Sequence, residues 1–192
     1  MDKKNGKRIL RAGTMLNPAP VVMVSCGSSI DEYNIITIAW TGTLCSDPPM
    51  CYISVRPQRH SYEIIKRTGE FVINLVSSDL ADVTDWCGVR SGQKYHKFLE
   101  TGLTPTRATK VQAPLVHESP VNIECKVKQI VPLGSHDMFI AEIVAVHAAE
   151  HLFNRKTDAL ELQRAHLVSY SHGHYYELGK ILGKFGYSVE KK

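Results

Sequence analysis

The stretch Asn34–Pro49, NIITIAWTGTLCSDPP, decides how the rest of the chain is read. It opens like a buried β-strand, with Ile35, Ile36 and Ile38 close together, then passes into small polar residues and a Pro-Pro pair. β-Branched residues favour strands, whereas proline cannot donate to a ladder and is confined to edges and turns. The backbone after Trp40 is therefore expected to leave the sheet, with the N–H groups near Thr41, Gly42, Thr43 and Ser46 facing whatever occupies the rim. A ligand with many acceptors and a flat apolar body satisfies such groups, and Gly42 lets it approach the backbone closely. An ordinary loop satisfied by water is the alternative.

Around this stretch the pattern is mainly β. PVVMVSC (Pro20–Cys26), CYISVR (Cys51–Arg56) and FVINLV (Phe71–Val76) read as strands, and GSSIDEYN closes a hairpin onto IITIAW. SYEIIKRTG reads as a short helix ended by Gly69. SSDLADVTDWCG reads as a second, with Ser78 as its N-cap and Asp79 and Asp82 in the first turn. VNIECKVK alternates Val121, Ile123, Cys125 and Val127 with polar neighbours, which predicts an outer strand with one wet face. After the turn PLGSHD, MFIAEIVAV is expected to be buried on both sides. Strands outnumber helices and no regular strand-helix alternation appears, so an antiparallel β-barrel with a few short peripheral helices is expected. GxGxxG, Walker and GxSxG signatures are absent.

The strand at Cys51 ends in VRPQRHS, which gathers Arg56, Arg59, His60 and Ser61 where a helix begins. Free N–H groups at helix N-termini and bidentate guanidinium donors suit an anion, above all phosphate. A solvated basic turn is the competing explanation.

At 192 residues the chain fits one domain, residues 1–192. Hydrophobic residues make up 43% and charged residues 22%, which excludes disordered, collagenous and coiled-coil classes. The net charge of +4 is spread along the chain apart from the ends MDKKNGKRILR and EKK, read as solvated tails; no nucleic-acid partner is expected. No signal-peptide core and no run of about 20 apolar residues appears, so no membrane partner and a cytoplasmic location are expected. Cys26, Cys45, Cys51, Cys87 and Cys125 are an odd set without CxxC and read as small buried hydrophobes rather than disulfides.

NIITIAW followed by CSDPP, then VRPQRHSYEII, GEFVIN and SGQKYHKFLETGLTP, resemble in order the landmarks of the flavin reductase-like, FMN-binding split-barrel family, and within it the flavoredoxins most. VNIECKV, HDMFIAEIVAV and YYELGKILGKFG extend the resemblance over nearly the whole chain. It implies a homodimeric split β-barrel with a non-covalent FMN in each subunit near the dimer interface. It further implies that Thr37, Ile38, Ala39, Trp40, Thr41 and Ser46 line the isoalloxazine, that Asn34 fixes the local turn, that Arg56 and Ser61, with Lys97, handle the phosphate or ribityl chain, and that Val55 is a further cofactor-binding residue. Relatives commonly carry Asp-Lys-Phe where this chain has His96-Lys97-Phe98, and smaller residues where it has Ile38 and Thr41, which predicts a more positive lysine site and a more crowded flavin face. FMN would carry the redox chemistry, so no catalytic acid, base or nucleophile is assigned. The implied activity is an NAD(P)H-dependent flavin oxidoreductase; an FMN electron carrier reduced by a redox protein is the alternative.

HAAEH (His147–His151) matches the HxxEH pattern of a zinc-protease class. The segment falls at the end of a strand, where residues four apart lie roughly 13 Å from each other, too far for one metal. His172 and His174 of SHGHYY are read as loop residues, and no metal ligand is assigned.

Overall fold

The computed structural model describes residues 6–189. Met1–Asn5 and Glu190–Lys192, which include parts of the two basic tails, lie outside the described residues. Strand β1 (Ala19–Pro20) precedes β2 (Val22–Cys26), which turns back into β3 (Asn34–Ile38) with Val22 opposite Ile38 and Cys26 opposite Asn34. The turn requires glycine at position 27, where φ is 109° and any Cβ would lie 2.7 Å from the Glu32 carbonyl oxygen.

Only Ala39 and Trp40 separate β3 from β4 (Thr41–Ser46), yet these two strands are the opposite edges of a seven-stranded sheet. Its interior holds β2, β6 (Glu70–Leu75), β9 (Val121–Pro132), β10 (Asp137–Ala148) and β5 (Pro49–Val55) in that order, all pairings antiparallel. Three residue steps from Ile38 to Thr41 span at most about 11 Å, so the sheet curls until its edges nearly meet. No ladder joins β3 to β4 among the described residues, and the barrel stays split along that seam. The fold-deciding stretch is thus the seam itself.

The interior is apolar: Val24, Ile53, Ile65, Phe71, Phe139 and Ala141 have no exposed surface. Helix α1 (His60–Thr68) closes one end with Tyr62, Ile64 and Ile65, and stops as expected at Gly69, whose N–H donates to the Ile65 carbonyl (2.9 Å). Helices α2 (Ala81–Val89) and α3 (Lys97–Thr101) cover the outer face of β2 and β3 through Cys87 and Phe98 against Met23 and Ile35. The two-residue strands β7 (Pro105–Thr106) and β8 (Leu115–Val116) bracket a strap over β6 and β9, and β11 (Val168–Ser171) with β12 (His174–Glu177) adds a small sheet onto β1. No described helix is long and apolar enough to cross a membrane.

Several expectations need correction. Thr41–Ser46 does not leave the sheet: it pairs with β5 as an edge strand, because the prolines fall in the turn and at the start of the partner strand. Gly42 makes room for Tyr52, whose ring would lie 3.2 Å from a Cβ there. Ser78 does not cap α2, since it opens a 3₁₀ turn (Ser78–Leu80) after Ser77. β9 is a central strand, and its polar face is covered by the strap, so Asn122 and Glu124 are buried. β10 is fully buried only at Phe139 and Ala141, while Val146 is 60% exposed because no described element covers that part of its outer face. His172 lies in the tight turn between β11 and β12, as a loop residue, whereas His174 is the first residue of β12 and pairs with Ser171. All five cysteines are free, and four are buried; Cys45, on β4, is partly exposed.

Candidate functional site

An open cavity of ≈310 Å³ lies at the seam. The link from Thr37 to Trp40 forms one wall, fixed by the Trp40 carbonyl, which accepts from the Ser54 N–H at 2.9 Å. Ser54, Val55 and Arg56 at the end of β5 form the next, and Arg59 stands at the start of α1. The turn between β9 and β10 brings His136 alongside, because Asp137 is in register with Val55. Tyr170 of β11 closes the wall, its ring edge-on to Trp40 with centroids 6.5 Å apart.

The cavity is cationic and incomplete. No carboxylate lines it, and neither the Arg56 nor the Arg59 guanidinium meets an acceptor among the described residues. Asp137, the carboxylate nearest in sequence to His136, instead accepts from the Tyr62 hydroxyl at 2.5 Å. The first turn of α1 has no side-chain cap, so its dipole adds positive potential beside Arg59. Burial, and then the charges of Arg56 and Arg59, push the His136 imidazole below its ordinary pKa. β3 pairs on one side only, which leaves its outer edge and the Ala39–Trp40 link open to a ligand. Unmatched donors of this kind fit a planar, acceptor-rich group carrying a phosphate.

The eleven residues singled out from the sequence divide into three sets. Thr37, Ile38, Ala39, Trp40, Val55 and Arg56 border the cavity. Ile38 also packs into the barrel core at 5% exposure, so its bulk points away from the opening. Asn34, Ser61 and Lys97 form a buried cluster near the start of β3 instead. The Asn34 amide donates to the Ser61 hydroxyl (2.7 Å), and the Lys97 ammonium donates to the carbonyls of Ile35 (2.7 Å) and Cys87 (2.5 Å). Burial lowers the Lys97 pKa, with Arg59 adding to the effect. Two of its three N–H donors are used on neutral carbonyls, and no carboxylate pairs with it. Thr41 and Ser46 stand apart: the Thr41 hydroxyl donates to the Tyr52 carbonyl (2.6 Å), and Ser46 lies exposed at the tip of the β4–β5 hairpin.

Arg59 was visible in the sequence beside Arg56, but His136, Ser54 and Tyr170 were not picked out. His136 and Tyr170 arrive through strand register and a second sheet, and no local pattern announces either. HAAEH lies at the strand end as expected: His147 is in β10, where its Nε2 meets the Glu124 carboxylate at 2.5 Å, and His151 is in a separate 3₁₀ turn. No cluster of three or more potential metal ligands occurs among the described residues.

The same architecture recurs in known proteins. Flavoredoxin of Desulfovibrio vulgaris (Miyazaki F) superposes with a TM-score of 0.88 at 31% identity, over 96% of this chain and 100% of that one. Flavoredoxin from Methanosarcina acetivorans superposes at 0.86 over 96% and 97%, with 20% identity. An NADH-dependent FMN reductase of Streptomyces nodosus subsp. asukaensis is 22% identical over 145 residues, 76% of this chain and 77% of that protein. The model of the flavin reductase like domain matches residues 14–179, a span that holds the whole seam and every wall of the cavity, and the chain belongs to that family.

Proposed function

We propose that the protein is an FMN-dependent oxidoreductase of the flavin reductase and flavoredoxin type, holding FMN non-covalently in the cavity at the seam. The observation that carries this reading is the meeting of an open strand edge with two guanidinium groups that no described acceptor holds. Backbone groups of Thr37–Trp40 would bond the polar edge of the isoalloxazine, and Trp40 and Tyr170 would shield it from water. Arg56 and Arg59, with the N-terminus of α1, would neutralise the phosphate. Ser61 and Lys97, both buried, would hold the start of β3 in place through Asn34 and the Ile35 carbonyl. When bound, FMN supplies the redox chemistry, taking electrons from NADH, NADPH or a redox protein. The cationic rim favours negative charge on the reduced ring. His136, whose proton affinity is lowered by burial and by the two arginines, would stand beside the ring as a hydrogen-bond partner. The flavoredoxin and the NADH-dependent FMN reductase named above support the same reading.

Titration of the apoprotein with FMN, followed by anaerobic mixing with NADH or NADPH, tests it. Saturable binding with rapid bleaching assigns a reductase. Retained FMN with slow bleaching assigns a carrier fed by another protein. A chain that binds no flavin overturns the proposal.

A further inference from the structure

The chain beyond β12 has a root on its own subunit but no seat. The Leu178 N–H donates to the Leu167 carbonyl at 2.9 Å, and from Gly179 to Val189 no residue joins a helix or sheet. Ile181, Leu182, Phe185 and Val189 are nevertheless 69%, 83%, 107% and 84% exposed. An apolar run left in water marks an interaction surface. The segment is also shaped in advance. Tyr187 N–H donates to the Lys184 carbonyl and Val189 N–H to that of Gly186, both at 3.0 Å. The Tyr187 ring lies so close to Gly183 that a Cβ there would come within 2.5 Å of it. A pre-formed segment loses little further freedom on docking.

A complementary surface exists on the same chain. Between α2 and β12 runs a groove of ≈740 Å³ bordered by Asp82, Asp85, Trp86, Val89, Arg90 and Tyr175; the Arg90 guanidinium lies over the Tyr95 ring, 5.6 Å from its centroid, and the two carboxylates leave the groove net acidic. Val89 is 69% exposed, and Asp82 has no hydrogen-bond or ion-pair partner among the described residues. Asp85 accepts from the Tyr175 hydroxyl at 2.9 Å, which holds that wall in place. The groove therefore calls for apolar side chains flanked by ammonium groups, and the segment Lys180-Ile181-Leu182-Gly183-Lys184-Phe185 is such a sequence.

We propose that residues 179–189 form an arm that crosses to a second copy of the chain, seating Leu182 and Phe185 against Trp86 and Val89 with Lys180 facing Asp82. Two arms filling two grooves make a closed two-fold pair, which a shared arm and groove on one chain permit. The N-terminal stretch is also basic and apolar at Lys7, Ile9 and Leu16, but it has no comparable pair of turns and serves as the control.

Equal amounts of ¹⁴N- and ¹⁵N-labelled protein, mixed and joined by a zero-length carbodiimide, read the geometry directly by mass spectrometry. Peptides linking Lys180 to Asp82 or Asp85 are expected with one light and one heavy partner. Links within one copy only, or no such links, overturn the proposal. In sedimentation equilibrium, Phe185→Ser is expected to raise the dimer dissociation constant about 10- to 100-fold. Lys180→Glu and Asp82→Lys are each expected to raise it by about 2- to 5-fold, and the double variant to recover it. An unchanged constant in Phe185→Ser, or dissociation caused by removal of residues 1–12 instead, overturns the proposal. The proposal is independent of the flavin reading: a monomer that binds FMN sinks the arm alone, and an arm-linked pair that binds none sinks the flavin alone.

Discussion

The strap side of the barrel buries its charged group and completes it, whereas the seam side leaves its two arginines exposed to water with no described protein acceptor. Under the strap, the Glu124 carboxylate has no exposed surface and accepts from the Thr109 N–H (2.8 Å) and hydroxyl (2.7 Å), the Lys110 N–H (2.6 Å), the Val111 N–H (3.0 Å) and His147. Beside it Asn74 donates to the Met23 carbonyl and the Ser25 hydroxyl, and its oxygen accepts from Val116 N–H and the Asn122 amide. At the seam, Arg56 and Arg59 have no acceptor among the described residues, and Lys97 has only carbonyls. A polar network that closes on itself fixes a fold, and one left open by several donors invites a guest of opposite charge. The contrast also resolves the HxxEH pattern: the chemistry-bearing residues of that motif serve the closed network, and the cavity draws on others.

The largest expected effect breaks the closed side. Glu124→Ala would leave three backbone N–H groups of the strap without their acceptor, and is expected to cost about 3–5 kcal/mol in urea unfolding. Flavin affinity measured on the folded fraction should be unchanged. Loss of less than about 1 kcal/mol would show that water replaces the carboxylate at no great cost and that the strap is not held by it.

The same group predicts an acid dependence. Burial pushes the Glu124 carboxyl up, but the hydrogen bonds from Thr109, His147 and Lys110 outweigh it and hold the pKa down to about 2. An unfolded glutamate titrates near 4.3, so the folded state binds fewer protons in the interval. The resulting stabilisation is fully present above about pH 4.5 and disappears as the pH falls toward 2, amounting to about 3 kcal/mol. Urea unfolding of the protein and of Glu124→Gln across this range checks it. The two curves should differ in slope below pH 4.5 and run parallel above it, and equal slopes throughout would assign the acid sensitivity elsewhere.

On the open side the order of effects reverses. Arg56→Ala and Arg59→Ala should each leave the unfolding free energy within about 0.5 kcal/mol, because neither guanidinium holds part of the fold. Each should weaken FMN binding by about 1.5–3 kcal/mol, the worth of a charge-assisted contact. Fluorescence titration reads this, and riboflavin, which lacks the phosphate, should be nearly indifferent to both substitutions. Equal losses for riboflavin would move the guanidinium groups from the phosphate to the ring.

These two regions were legible in the sequence to different degrees, for physical reasons. The open side is local: Thr37–Trp40 and Arg56–Arg59 are contiguous runs whose residue types advertise strand edge, turn and anion, and they do border one cavity. The antiparallel sheet followed from the alternation in β9 and the turns around it. What failed was long-range. The wet face of β9 became a buried network because a strap 14 residues upstream of Glu124 folds over it, and alternation reports only that a face is polar, not what covers it. His136 and Tyr170 were missed because register, rather than composition, delivers them. Lys97 was placed by resemblance alone, and its carbonyl partners 62 and 10 residues away could not be read from a short motif.

The smallest expected effects fall on the two residues the seam leaves behind. Thr41 spends its hydroxyl on the Tyr52 carbonyl within the β4–β5 hairpin, so Thr41→Val should cost about 1 kcal/mol of stability and leave flavin affinity alone. Ser46 sits exposed at the hairpin tip with no described side-chain hydrogen bond, and Ser46→Ala should change neither quantity by more than about 0.5 kcal/mol. If Ser46→Ala instead weakens FMN binding several-fold while stability holds, the hairpin tip reaches a bound flavin. On one subunit that tip stands outside the cavity, so such a result would place it at the site of a second copy. A null result keeps the flavin site on the Thr37–Trp40 link and the arginine pair, and confines the contrast between open and closed networks to the residues argued above.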